Sequence, residues 1–166
     1  MGARQPRRSA CVRCSFRRPA ATLDFRTAWK ALRSYHWTVA ISIVRLGSRR
    51  EPGEGLRIGT TRRPPRGVAK ARFSYDNWYD VWLPQLAPSA ELVKRGQAAT
   101  SAREWQAFTR SYRSEMAAPD NERLIALLAA LSHTAALSVG CYCEDEEYCH
   151  RATLRELLRE HGAALK

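Results

Sequence analysis

The 166-residue chain carries 28 Lys or Arg against 16 Asp or Glu, a net charge of +12, and 45% of its residues are apolar. That length suits one domain with a single core. The best apolar run, Val39 to Leu46, is interrupted by Ser42 and Arg45 and falls far short of the roughly 20 residues of a membrane span. No apolar segment of a secretory signal follows the basic N-terminus, so a cytoplasmic protein with no membrane partner is expected.

The charge is uneven. Residues 1–72 hold 18 Lys or Arg against three acids, a net of +15, whereas residues 73–166 hold 10 against 13, a net of −3. That division does not describe a uniformly basic nucleic-acid-binding domain. Residues 1–35 are rich in Arg, Pro, Ala and Ser and read as a basic, disordered extension, with a turn or two of helix possible around Phe25 to Leu32. Such a tail would support non-specific, salt-sensitive association with nucleic acid.

Residues 36–166 read as one α/β domain: a short, mostly parallel central sheet flanked by helices. Trp37, Val39, Ile41 and Ile43 alternate as a strand ending near Leu46-Gly47. After a turn-rich loop, Leu56 to Thr61 is a second strand, and Arg62-Arg63-Pro64-Pro65-Arg66-Gly67 must be loop. Trp78 to Leu83 reads as a strand closed by Pro84, and Ser89 as the N-cap of a short helix through Lys94. Ser101 and Glu104 form a capping box, opening a helix with the stripe Trp105, Phe108, Tyr112 and Met116. Pro119 begins a helix whose buried face is expected at Leu124, Leu127, Leu128 and Leu131. Ala135 to Cys141 reads as a buried strand, and the last helix runs from about His150 to His161 before Gly162.

The segment Gly140 to Arg151 concentrates the chemistry. Cys141, Cys143, Cys149, His150 and Arg151 surround an acidic loop, Glu144 to Glu147, between a strand end and a helix start. Free N–H groups and the positive dipole end of a helix favour a thiolate or a bound anion there. Cys149 is the candidate nucleophile, His150 the candidate acid or base, and Glu115 a residue that could orient an Arg or His. Arg57, Arg62, Arg63, Arg66, Lys70 and Arg151 are the candidate ligands for an anionic small molecule of phosphate or nucleotide type. The alternatives are a solvated arginine surface and thiols that only pack.

A second reading takes Cys141, Cys143, Cys149 and His150 as four zinc ligands, although adjacent Cys149 and His150 do not easily face one metal. Cys11 and Cys14 form a half-knuckle with no evident mate. The aromatic residues Trp37, Trp78, Tyr79 and Trp82 could stack on bases, but strand positions favour core.

A cysteine-ended strand, an acidic loop and Cys149-His150-Arg151 at a helix start together resemble the closing motif of the family known as domain of unknown function 488. Gly55 to Ile58 with Arg62 to Gly67 and Lys70 resembles its first block. Trp82-Leu83-Pro84, Ala87-Pro88-Ser89 with Leu92, and Phe108 through Tyr112 to Glu115 resemble its middle. The resemblance spans residues 38–162, differs where some relatives carry Trp at the position of Pro64, and includes relatives without the cysteine cluster. It implies a fold and a candidate site, and no particular reaction.

Overall fold

The computed structural model describes residues 39–166; Trp37, His36, Cys11, Cys14 and the 1–35 extension lie outside them. Four strands are formed: β1 (Ile41–Arg45), β2 (Leu56–Gly59), β3 (Val81–Trp82) and β4 (Leu137–Cys141). Every pairing is parallel, in the order β1-β4-β2-β3. The last strand in sequence thus inserts between the first two. Its residues, Leu-Ser-Val-Gly-Cys, are buried throughout, as the centre of a parallel sheet covered on both faces requires. Gly55 makes the entry into β2 possible. It has φ +76°, and a Cβ there would lie 1.9 Å from the Ala136 carbonyl oxygen.

Among the described residues four α-helices follow the sequence signals: α1 (Ala90–Ala98), α2 (Ala102–Met116), α3 (Pro119–Leu131) and α4 (His150–Glu160). The Ser89 hydroxyl accepts the Leu92 N–H, and Ser101 with Glu104 completes a reciprocal capping box. The core joins Ile41, Ile58 and Val139 of the sheet to Phe108, Tyr112, Ile125, Leu128, Leu154 and Leu158 of the helices. No helix among the described residues is long and apolar enough to cross a membrane.

Two sequence expectations change. The buried face of α3 is Ile125, Leu128 and Ala129, continued by Ser132, at spacings of three and four residues. Leu127 is 54% exposed because it falls opposite that stripe, and Leu131, 39% exposed, stands at its flank. The third strand is also shorter than Trp78 to Leu83. Asn77 turns at φ +62° and the Trp78 N–H bonds to the Phe73 carbonyl, so regular pairing begins only at Val81.

Candidate functional site

Register fixes what stands at the carboxyl edge of the sheet. Arg45 of β1 pairs with Cys141 of β4, Gly59 of β2 pairs with Gly140, and the Thr60 N–H continues to the Gly140 carbonyl. Open parallel sheets bind ligands at this edge. Here it floors a groove of about 1100 Å³. Arg62, Arg63 and Arg66 line it together with Cys141, Cys143, Cys149 and His150. The arginine loop and the cysteine turn, 80 residues apart in sequence, therefore share one site.

Its lining carries five basic side chains, the three arginines with Arg45 and Lys94, and no Asp or Glu among the described residues. Arg45 is paired outward with Glu144, and Lys94 lies 3.5 Å from Glu91. Arg62 is steadied by carbonyls: its Nε donates to Pro88 (3.0 Å) and its Nη2 to Ala87 (3.1 Å), which leaves its charge unneutralised. Trp78, Trp105 and Tyr148 also border the groove. Tyr148 is 63% exposed and lies 5.6 Å from the Trp105 ring.

The thiols of Cys141, Cys143 and Cys149 lie within 4.8 Å of one another and could hold a metal ion. Cys143 is exposed, whereas Cys141 and Cys149 are buried. Arg151 is also buried, at 2% exposure. Its Nε donates to Cys149 Sγ (3.4 Å) and its Nη2 to the Cys143 carbonyl (2.8 Å). No carboxylate pairs with it among the described residues. A guanidinium out of water needs a counter-charge, and the nearest acid is a thiol.

Within the cluster, hydrogen bonds to Cys143 and Cys149 push the ionisation of Cys141 far up. The same contacts, aided by the charge of Arg151, draw Cys143 down to about 3. Cys149 is lowered by the Cys141 hydrogen bond, with further help from His150.

His150 has a defined tautomer. Its Nε2 lies 2.8 Å from the Thr60 carbonyl oxygen, which can only accept, so Nε2 carries the proton. In the neutral ring Nδ1 is then an acceptor, 3.7 Å from Cys149 Sγ. The orienting residue, Thr60, was not singled out in the sequence. Its signal was its place at the end of the second strand, beside the end of the cysteine strand.

Other residues singled out in the sequence fall elsewhere. Arg57 is fully buried and lies outside the groove lining. It donates twice to Glu54 (2.6 and 2.7 Å) and also to the Ser48 and Asn77 carbonyls. Lys70 opens an exposed 3-10 turn and does not line the groove. Among the described residues Glu115 orients no Arg or His: its Oε2 accepts the Ser89 N–H (2.8 Å) and holds the start of α1. Arg151 stands behind the cysteines rather than in the lining. His150 is not within the 4.8 Å thiol cluster, so the four residues of the zinc reading reduce to three thiols.

A family model described as the active DUF488-N3 subclade matches residues 41–162. No curated protein and no solved structure matches the chain.

Proposed function

Since the chain belongs to the DUF488 family through its N3 subclade, we propose that the groove is an enzyme-like site for an anionic ligand of phosphate or nucleotide type. One observation carries this reading: five basic side chains and no acid line a groove floored by ionisable thiols. Arg62, Arg63 and Arg66 hold the anion through forked donors. With no metal on the cluster, Cys149 supplies a thiolate at the start of α4, with His150 Nδ1 as its proton acceptor. Trp78, Trp105 and Tyr148 offer ring faces to a base. The description of the subclade as active supports an enzyme rather than a scaffold.

Calorimetric titration with inorganic phosphate and adenosine monophosphate tests the reading. Replacing Arg62 and Arg66 together by Ala weakens binding by about tenfold or more, equivalent to at least about 1.4 kcal/mol. Lys70→Ala carries the same kind of charge loss off the groove and leaves the affinity within about twofold. Equal losses in both variants would reduce the interaction to overall charge and overturn the site. Removing residues 1–35 separates non-specific polyanion binding by the basic tail from binding in the groove.

A second reading, a zinc-stabilised module, is favoured by the 4.8 Å clustering of the three thiols. It predicts metal in the purified chain and thiols that alkylate only after chelation.

A further inference from the structure

We infer that Cys141, Cys143 and Cys149 form a three-thiolate zinc centre whose fourth coordination position opens on the groove. A Zn–S bond of about 2.3 Å in a tetrahedral site places neighbouring sulfurs about 3.8 Å apart. Cys141 Sγ and Cys143 Sγ are 3.7 Å apart, and Cys149 Sγ lies within 4.8 Å of both. The cluster thus has close to metal-site spacing, from residues on β4, its loop and the start of α4.

The surroundings suit thiolates on a divalent cation. Three thiolates and Zn²⁺ leave one negative charge, and the buried Arg151 guanidinium, 3.4 Å from Cys149 Sγ, balances it. An N–H donor directed at a ligand sulfur is the outer-shell contact that orients metal ligands.

No fourth protein ligand is at hand among the described residues. His150 Nδ1 is 3.7 Å from Cys149 Sγ but does not lie within 4.8 Å of all three thiols. In the acidic loop, Glu144 pairs with Arg45, Glu146 pairs with Arg155, and Asp145 accepts the Glu147 N–H. None of the loop acids joins the thiol cluster. Structural zinc sites close with four protein ligands, whereas three ligands and an open place mark sites that bind an exogenous group. The open place faces a groove lined by Arg62, Arg63 and Arg66, so the fourth ligand is water, exchanged for the oxygen of an incoming anion. Only the identity of that exchanging ligand rests on the anion-binding reading; the metal itself does not.

The full chain carrying Cys11→Ser and Cys14→Ser, which removes the two tail thiols, is the protein to test. Elemental analysis is expected to give about one zinc per chain, and cobalt reconstitution to give intense thiolate-to-Co²⁺ charge-transfer absorption. Adding zinc to the stripped protein suppresses alkylation of all three remaining thiols, a readout that needs no further variant. Cys143→Ser loses the charge-transfer intensity of one thiolate, and His150→Gln retains all of it. Inorganic phosphate shifts the visible Co²⁺ bands, and the Arg62→Ala/Arg66→Ala pair abolishes the shift at the same phosphate concentration.

Absence of bound metal with three reactive thiols overturns the inference and leaves arginine-dependent anion binding standing. A four-ligand cobalt spectrum that loses intensity in His150→Gln overturns the open position. A three-thiolate spectrum indifferent to phosphate and to azide overturns it as well. A spectrum that responds to azide but not to phosphate upholds the open centre and counts against the phosphate-type ligand alone.

Discussion

Two arginines among the described residues are buried, and they are buried for different reasons. Arg57 is fully enclosed and meets a complete set of partners: both oxygens of Glu54 and the carbonyls of Ser48 and Asn77. Ser138 donates to the same Glu54 carboxylate, so the pair is closed on every side. Arg151 is enclosed almost as fully, yet its neighbours are a sulfur and one carbonyl. The first arrangement satisfies itself and ties together the turns that carry Ser48 and Trp78. The second has a charge to spare, directed at a thiol cluster beside a cation-lined groove. Burial of a charge alone thus does not mark a site; what completes its neutralisation does.

The largest effect separating the two should come from breaking the closed pair. Arg57→Met leaves Glu54 buried and uncompensated and is expected to cost about 3–5 kcal/mol in urea unfolding. Arg57→Met combined with Glu54→Gln should recover much of that loss, because no lone charge remains. In Arg151→Met, by contrast, the thiol can take back its proton, so about 1–2 kcal/mol is expected with zinc removed. Its signature is chemical: in chelator the Cys143 thiol keeps its proton to higher pH than in the wild type, so the acid limb of its alkylation rate moves up in pH, the thiolate having lost its cation. A stability loss in Arg151→Met as large as in Arg57→Met, with unchanged alkylation, would erase the distinction.

Acid titration sharpens it further. Burial raises the Glu54 carboxyl, but its hydrogen bonds to Arg57, Ser138 and the Glu51 amide outweigh burial and hold it below 4.5. A carboxyl lowered in the folded state adds stability that is complete above its unfolded value and is lost as pH falls through the folded one. The Arg57 pair should therefore survive to below pH 4.5, and the Glu54→Gln/Arg57→Met double variant should lose less stability than the wild type across that window. Denaturant midpoints at stepped pH measure this.

The smallest effect is a control remote from both arginines. Ser101→Ala removes the side-chain half of an exposed capping box and is expected to cost about 1 kcal/mol, without changing thiol reactivity or phosphate affinity.

Local chemistry in the sequence determined much of this protein. The capping box at Ser101 and Glu104, the cap at Ser89, the stripe of α2 and the stop at Gly162 depend only on residues a few positions apart. The cysteine turn was legible for the same reason, as was the α/β class from strands alternating with helices. Tertiary structure decided the rest. Only packing turns Ile125 inward and Leu127 outward, because a helix rich in leucine offers more than one apolar face. Only the insertion of β4 between β1 and β2 brings Thr60 to His150 and the Arg62–Arg66 loop to the thiols. Arg57 and Arg66 look alike in the sequence; one is consumed by a carboxylate three residues away and the other lines the groove. A charge reveals its role through its partners, and the register of the strands sets which partners it meets.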